Sequence, residues 1–218
     1  RFTPSLLPLQ AGIGSMANAV MHGLMEGPFE GLTMYSEVLQ DSTFDLLDSG
    51  KMTFASGSSI TLSSSCGQRV WNNLELYKDR VVLRPQELSN HPGIVRRLGV
   101  SAINTALEID IYGNVNSTHV NGTHMINGIG GSGDFARNGQ LSIFITTATA
   151  KDGDLSSVVP FASHVDHTEH DVDIVVTENG LADLRGLAPR ERARRIIENC
   201  ADPYYRPALA DYFEAACE

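Results

Sequence analysis

The chain has 218 residues, of which 42% are hydrophobic, enough for one large α/β domain with a substantial core or for two small domains. Its formal net charge of −10 argues against a nucleic-acid partner, which needs a basic face. That charge still allows a phosphate-bearing ligand, because a few local cations and backbone amides suffice to hold one. No apolar run reaches membrane-spanning length, so we expect no membrane partner.

The start of the chain and its cysteines bear on where it works. Arg1 is not preceded by Met and no charged-then-apolar leader follows it, which predicts a fragment of a longer protein without a signal peptide. The chain has an odd number of cysteines, and their spacing is not that of a metal site, which favours a reducing intracellular compartment. They are Cys66, Cys200 and Cys217. Cys66 could be a nucleophile, but nothing near it in sequence would activate the thiol.

The first predicted unit is a strand at residues 6–10, a glycine turn at 11–17 and a helix at 19–25. This layout can direct backbone N–H groups at a phosphate or a carbonyl oxygen. Gly12-x-Gly14-x-x-Ala17 also matches the dinucleotide-binding fingerprint. Tight turns between strand and helix use glycine for steric reasons alone, so both interpretations stay open.

Glu37 follows the next predicted strand, Leu32–Tyr35, and precedes an amphipathic helix predicted over residues 38–47. At such a strand-to-helix junction the helix amides and dipole favour a carboxylate. The glutamate is then either a first-turn helix charge or a reactive group, and spacing alone favours the helix charge.

The middle of the chain offers two further candidates. Asn90 lies in a predicted loop, where it is either a helix cap or an amide aimed into a site. Gly128-x-Gly130-x-x-Gly133 also fits the dinucleotide pattern, but no clear strand precedes it and no clear helix follows it. We therefore expect a loop that lets backbone amides approach a ligand, and the absence of Gly-Lys-Ser/Thr excludes a P-loop. The other predicted elements here are an extended segment at 51–62, loops at 63–67 and 85–93, a helix at 94–98, and strands at Val81–Leu83, 102–107, 108–112 and 141–148.

The last third is rich in polar candidates. Lys151 is either a solvated charge or a cation for a phosphate or a carboxylate. His164, His167 and His170 stand among carboxylates with the composition of a metal site, although a hydrogen-bonded surface loop is favoured. Glu178 follows a strand predicted at 172–177 and precedes a short predicted helix. Helices at 190–199 and 208–216 complete an alternation of strands and helices, which predicts one α/β domain.

Motifs along nearly the whole chain resemble the C-terminal half of the acetyl-CoA hydrolase/transferase family, within the class I CoA-transferases. The histidine-rich block and Gly180-Leu-Ala-Asp-Leu-Arg-Gly186 are most similar to the succinyl-CoA:acetate and propionyl-CoA:succinate branches. The matching segments are Gly12-Ile-Gly14 with Asn18-Ala-Val20, Ser36-Glu-Val-x-Gln-Asp41, Asn90-His-Pro92, the run from Glu108 to His119, Gly130-Gly-Ser-Gly-Asp134, and Val159-Pro to Asp173. The resemblance implies an open, mixed or parallel sheet flanked by helices, the CoA-transferase (NagB/RpiA-like) fold. Residues 1–218 would be the C-terminal catalytic domain, with the N-terminal half absent.

The resemblance also implies a mechanism, in which Glu37 attacks an acyl-CoA thioester and gives a mixed anhydride. CoA thiolate then attacks the glutamyl carbonyl and leaves a glutamyl-CoA thioester. A carboxylate suits this role because it is ionised at neutral pH and needs no general base. By analogy, the Ile13 N–H and the Asn90 amide hold the glutamyl oxygen, and the Gly131 N–H serves the substrate carbonyl. Losing one such donor should cost roughly 3 to 4 kcal/mol of barrier.

Ligands and partners follow from the same resemblance. CoA is a substrate, and no metal or tightly bound cofactor is implied. The expected partners are acyl-CoA, short carboxylates (acetate, succinate or propionate), the protein's own N-terminal domain and a second copy in a homodimer, in bacterial cytoplasm or in mitochondria. The expected CoA contacts are Leu9, Gln10, Ala11, Gly12, Ile13, Leu107, Gly131 and Lys151.

Four alternatives remain. Acetyl-CoA hydrolysis would use the same glutamate, with water in place of the acceptor. A non-catalytic dinucleotide-binding module rests on the two glycine patterns, and a metal-binding regulatory domain on the histidines. Glu178 is a rival nucleophile, because Glu178-Asn179-Gly180 resembles the glutamate motif of two-subunit class I CoA-transferases.

Overall fold

A computed structural model of the chain describes residues 5–218, so Arg1, on which the expectation of a fragment rests, lies outside the described residues. The described residues form two compact units. The first comprises residues 5–104 and 134–141, and the second comprises residues 105–133 and 142–218.

The first unit is built on parallel strands in the order β7-β1-β2-β4-β6. Parallel strands bring their carboxyl ends to one edge of a sheet, so the segments after β1, β2 and β4 emerge together there. Its strands are β1 (Leu9–Ala11), β2 (Leu32–Tyr35), β3 (Val38–Leu39), β4 (Met52–Gly57), β5 (Ser59–Ile60), β6 (Val81–Leu83) and β7 (Ser101–Thr105). Its helices are α1 (Ser15–Glu26), α2 (Asp41–Asp48), α3 (Ser64–Asn72), α4 (Gln86–Ser89), α5 (Pro92–Leu98) and most of α6 (Ser132–Asn138).

The core of the first unit lies where helices α1 and α2 cover the sheet. Met21 of α1, Phe44 and Leu47 of α2, and Met34 and Ala55 of the sheet are each at most 2% exposed. Burying each of the large side chains contributes about 1.5 to 3 kcal/mol to folding. This packing fixes the sheet whose carboxyl edge carries Glu37.

The second unit combines parallel and antiparallel pairs. Strand β12 pairs with β16 in parallel, and β16 with β17 in an antiparallel hairpin, while β8 lies between β15 and β9. Its strands are β8 (Glu108–Asp110), β9 (Val115–Asn116), β10 (His119–Val120), β11 (His124–Met125), β12 (Leu141–Ile145), β13 (Thr149–Ala150), β14 (Leu155–Ser156), β15 (Val158–Val159), β16 (Ile174–Thr177) and β17 (Gly180–Asp183), and its helices are α7 (Pro189–Asn199) and α8 (Arg206–Ala215).

The expected α/β fold with a mainly parallel sheet flanked by helices is confirmed. Strands Leu32–Tyr35 and Val81–Leu83 have the predicted bounds. Within residues 5–218, every helix is too short or too polar to cross a membrane.

The prediction of a helix directly after Glu37 was wrong. The helix expected at residues 38–47 begins only at Asp41, because Val38–Leu39 instead pairs in parallel with Ser59–Ile60 as strands β3 and β5. The β-branched Val38 favours the extended conformation. The helix dipole therefore acts on Asp41, in the first turn of α2, and Glu37 lies before a strand.

Four loop or helix predictions were also wrong. The loop expected at residues 63–67 is largely helix α3, whose N-cap Ser63 accepts a hydrogen bond from the Cys66 N–H. The glycine cluster at 128–133 is followed by a helix, α6, and the loop at 85–93 contains α4. The short helix expected after Gly180 is strand β17, because Glu178-Asn179 is the two-residue turn of a hairpin.

Candidate active site

The backbone of Glu37 is fixed by the segment that follows strand β4. Its carbonyl oxygen accepts hydrogen bonds from the N–H of Ser58 at 2.7 Å, the N–H of Ser59 at 3.2 Å and the Ser58 hydroxyl at 2.9 Å. Gly57 lies so close that a Cβ there would be 3.0 Å from the same oxygen. These contacts leave Glu37 little freedom to move at the carboxyl edge of the sheet.

The carboxylate of Glu37 is half-buried, and a neutral side-chain amide lies near it. The Gln86 side-chain amide approaches Oε1 at 3.5 Å, the outer limit of a hydrogen bond. The Gln86 amide is neutral and can donate a hydrogen bond to the carboxylate. The first unit thus presents Glu37 as an accessible carboxylate beside an amide.

The turn that contains Ile13 is clamped by Gln40. The Gln40 amide nitrogen donates to the Gly12 carbonyl at 2.9 Å, and its oxygen accepts from the Gly14 N–H at 3.2 Å. Gly14 has φ +132, a conformation that favours glycine. Between the two clamped glycines, the Ile13 N–H makes no hydrogen bond within residues 5–218, and its side chain is 65% exposed. The turn can therefore offer the Ile13 N–H to a ligand.

The same clamp bears on the dinucleotide alternative. The layout of β1, glycine turn and α1 matches the one predicted from the fingerprint. However, the Gly14 N–H, one of the amides that would cradle a phosphate, is already engaged by Gln40. This weakens the argument for a phosphate site made by this turn alone.

Asn90 lies in an open pocket of about 360 Å³ in the first unit. It is 7% exposed, and its Nδ2 donates to Asp134 Oδ2 at 3.1 Å, while its Oδ1 has no donor among residues 5–218. Tyr35 steadies this region by donating its hydroxyl to the Leu88 carbonyl in the preceding helix. Burial raises the pKa of Tyr35, so the hydroxyl keeps its proton. The pocket is lined by Gln86, Glu87, Asn90, His91, Pro92 and Asp134.

The site residues of the first unit are therefore connected in space. Gln86 both lines the Asn90 pocket and reaches Glu37. The Ser36 hydroxyl, next to Glu37, contacts the Ala11 carbonyl at 3.3 Å, immediately before the Ile13 turn. The predicted grouping of Ile13, Glu37 and Asn90 is thus compatible with the structure of the first unit.

The segment 9–13 presents little side chain to a ligand. Leu9, Gln10 and Ala11 are at most 5% exposed, and the Gln10 amide forms a reciprocal pair with Asn104 at 3.1 and 3.2 Å. A ligand would meet the backbone at Gly12 and Ile13. CoA contact with Leu9, Gln10 and Ala11 stays a prediction.

The remaining predicted residues belong to the second unit. Gly131 is buried at the end of the glycine loop, beside Ser132. The Leu107 N–H donates to the Asn116 carbonyl at 2.8 Å, so this amide is already engaged. Lys151 is exposed and, with Asp152, adopts φ near +50, a conformation unusual for residues with side chains. Their roles stay predictions.

Glu178, the rival nucleophile, lies in the exposed turn between β16 and β17. Its Oε2 accepts a hydrogen bond from the Ala148 N–H at 2.8 Å. A main-chain contact of this kind fits a carboxylate that holds a loop.

The three histidines considered for a metal site do not form one cluster. His164 lies instead with His119 and Asp166, whose ligand atoms are within 4.8 Å of one another, the only such group in residues 5–218. The His119 and His164 rings are tilted by 34° relative to each other, with centroids 3.8 Å apart. His167 is buried and His170 is exposed.

Asp166 shows that this cluster is a hydrogen-bonded network. Burial would raise the pKa of Asp166, but hydrogen bonds from the Ser117 N–H and the Thr118 hydroxyl, with neighbouring His164 and His167, lower the pKa overall. The Ser117 N–H lies at 2.8 Å and the Thr118 hydroxyl at 2.8 to 2.9 Å from its oxygens. Asp166 therefore stabilises the loop after strand β9.

Sequence reasoning missed three contributors, namely Gln40, Gln86 and Asp134. Gln40 and Asp134 stand inside the motifs that carry the family resemblance, which was a usable signal. Their partners are 28 and 44 residues away in the chain, so only the folded structure reveals the contacts.

Comparisons with known proteins cover most of the chain. Residues 67–213 match the acetyl-CoA hydrolase/transferase C-terminal domain. The chain is 58% identical to succinyl-CoA:acetate CoA-transferase of Clostridium kluyveri, over 98% of the chain and 40% of that protein. It is 52% identical to an acetyl-CoA hydrolase of Candida glabrata, over 99% of the chain and 42% of that protein. The chain thus spans about two fifths of the length of these curated relatives.

A solved structure supports the fold. The 4-hydroxybutyrate CoA-transferase of Porphyromonas gingivalis superposes with a TM-score of 0.78 at 26% identity, over 99% of this chain and 52% of that one. The fold expected from the resemblance is thereby confirmed. The chain belongs to the acetyl-CoA hydrolase/transferase family.

Proposed function

We propose that this chain is the C-terminal catalytic domain of an enzyme that transfers CoA between short acyl-CoA thioesters and carboxylates, with Glu37 as the covalent nucleophile. The observation that carries the proposal is the setting of Glu37. Its backbone carbonyl is held by three donors, and its carboxylate faces a neutral amide at the edge of the Asn90 pocket. Relatives named as CoA-transferases support the reaction type.

The bonds made and broken balance without a general base. A Glu37 oxygen attacks the thioester carbonyl, the C–S bond breaks, and CoA leaves as a thiolate with a mixed anhydride behind it. The thiolate attacks the glutamyl carbonyl and releases the first carboxylate, leaving a glutamyl-CoA thioester. An acceptor carboxylate then attacks the glutamyl carbonyl, the C–S bond breaks, and CoA thiolate leaves behind a second mixed anhydride. The thiolate attacks the acyl carbonyl of this anhydride, which releases the new acyl-CoA and restores the Glu37 carboxylate.

Each attack creates an oxyanion that needs a donor already in place. The Ile13 N–H, in its clamped turn, and an Asn90 amide N–H are the donors for the glutamyl oxygen. The Gly131 N–H is the donor for the substrate carbonyl. CoA itself would contact the 9–13 segment, Leu107, Gly131 and Lys151.

The remaining parts of the proposal concern the rest of the protein. The relatives are more than twice as long as this chain, which supports an N-terminal domain that completes the substrate cleft. We include a homodimer and a bacterial cytoplasmic or mitochondrial location in the proposal. Acetate, succinate and propionate are the proposed carboxylates.

A second candidate function is acetyl-CoA hydrolysis, because a relative 52% identical to the chain bears that name. Water would then intercept the anhydride or the glutamyl thioester in place of the acceptor. CoA release from acetyl-CoA, measured with and without added succinate, separates the two reactions. Release that does not depend on the acceptor identifies the hydrolase.

The proposed nucleophile is tested in the full-length protein by Glu37→Ala, with Glu178→Ala as the matched control. We expect Glu37→Ala to abolish CoA exchange between acetate and succinate, and Glu178→Ala to retain much of it, since Glu178 contacts main chain. The reverse pattern would move the nucleophile to Glu178.

A further inference from the structure

The Ser132 hydroxyl bridges the glycine loop of the second unit to a buried histidine. Ser132 Oγ lies 2.7 Å from the Ile129 carbonyl and 3.1 Å from His167 Nε2. A carbonyl only accepts, so the one hydroxyl proton of Ser132 goes to Ile129. The Ser132 oxygen must then accept from His167, which assigns the ring proton to Nε2.

His167 is a rigid support for that hydroxyl. It is 0% exposed, its ring packs against Phe144 with centroids 4.9 Å apart, and its backbone exchanges two hydrogen bonds with Val115 at 2.8 and 3.1 Å. The catalytic interpretation gives this histidine no role, and His167 is not part of the group formed by His119, His164 and Asp166. A buried imidazole aimed at a glycine loop calls for a specific explanation.

The loop itself needs such a support. Glycines occupy positions 128, 130, 131 and 133, and Gly130 has φ +54. Glycine has more backbone freedom than any other residue, so the direction of the Gly131 N–H is poorly determined by local sequence. A donor that stabilises a transition state must be oriented before the reaction starts.

We propose that His167 is a positioning residue that acts through the Ser132 hydroxyl to orient the Gly131 N–H toward the substrate carbonyl. The inference rests on the proposed function, in which Gly131 is an oxyanion donor. The Nε2–H of His167 holds the Ser132 oxygen, the Ser132 hydroxyl holds the Ile129 carbonyl, and the turn between them sets the peptide plane that carries the Gly131 N–H.

The test uses Ser132→Ala, His167→Leu and His167→Gln in the full-length protein. Ser132→Ala and His167→Leu should each lower kcat by about tenfold to hundredfold. The KM for acyl-CoA should stay unchanged, because the contact matters in the transition state. His167→Gln keeps a side-chain N–H donor and should recover most of kcat. The double variant Ser132→Ala with His167→Leu should be no slower than the slower single variant, since both remove one contact chain.

The control is His170→Leu, because His170 is three residues away and its side chain is 82% exposed. It should keep wild-type kcat. If His167→Leu does not fold, Ser132→Ala alone decides, since it removes only one oxygen. Wild-type kcat in folded Ser132→Ala, or a His167→Gln variant as slow as His167→Leu, would overturn the positioning role.

A parallel Glu37→Ala variant separates this inference from the proposed function. If Glu37→Ala abolishes transfer while Ser132→Ala keeps wild-type kcat, only the positioning role fails. If Glu37→Ala retains transfer, the proposed function fails, and the positioning role fails with it.

Discussion

Gln40→Leu tests whether the clamped turn at Ile13 contributes to catalysis. In the wild-type chain the Gln40 amide makes both contacts of the clamp, to the Gly12 carbonyl at 2.9 Å and to the Gly14 N–H at 3.2 Å. Gln40 is only 7% exposed, so leucine keeps most of its volume while removing both hydrogen bonds. Gly12 and Gly14 then lose a polar partner each, and the turn gains freedom.

The magnitudes follow from those two contacts. Each hydrogen bond contributes about 1 kcal/mol net, so the free energy of unfolding should fall by about 2 kcal/mol. Complete loss of the Ile13 donor would raise the reaction barrier by about 3 to 4 kcal/mol. A turn that is loosened but still present should lose part of this, so we expect kcat to fall at least about tenfold, or roughly 1.4 kcal/mol.

The assay pairs urea unfolding with steady-state CoA transfer in the full-length protein. Gln140→Leu is the matched control, because Gln140 has an exposed side chain in the same unit and should change neither quantity. If Gln40→Leu loses stability but keeps wild-type kcat, the Ile13 turn supplies no catalytic donor. If its stability is also unchanged, the clamp has no energetic role and the reasoning fails at its first step.

Two further substitutions test the packing beside Glu37 and the hydrogen bonds of Asp166. Gly57→Ala should lower the free energy of unfolding by about 1 to 3 kcal/mol and reduce kcat, because the new Cβ would lie 3.0 Å from the Glu37 carbonyl oxygen. The control is Gly23→Ala, which has open space inside α1 and should raise the melting temperature. Equal effects of the two substitutions would contradict the expected clash at Gly57. Asp166→Asn should cost about 2 kcal/mol at pH 7 through its charged hydrogen bonds. Because the folded pKa of Asp166 is lowered, this deficit should be present above about pH 4 and vanish as pH falls through the folded pKa; a pH-independent deficit in urea melts would refute it.

The sequence predicted the architecture well where patterns are local. The strand Leu32–Tyr35 was found because most of its residues are apolar and it lies between Gly31 and Ser36, and helix Pro189–Asn199 because proline marks its first turn. The order of strands in the sheet could not be predicted from local sequence patterns. Pairing of β1 with β7 joins residues more than 90 positions apart, and local patterns carry no record of it.

The environment of Glu37 shows the limit most clearly. The sequence identified the residue, through its motif, but placed it at a helix start. Residues 38–39 have an apolar pattern that fits either a helix or a strand, and the choice was made by pairing with Ser59–Ile60. The donors at its carbonyl likewise come from Ser58 and Ser59, about 20 residues later. The motif singled out Glu37 as a candidate nucleophile, whereas the contacts of its backbone could not be predicted from the sequence.

The central claim is that Glu37 carries CoA as a thioester during turnover. The most direct measurement incubates the full-length protein with acyl-CoA, reduces the mixture with borohydride, which converts a thioester to an alcohol, and maps the modified peptide by mass spectrometry. The account predicts modification at Glu37 that requires acyl-CoA. Modification at Glu178, or at neither glutamate while transfer proceeds, would contradict it.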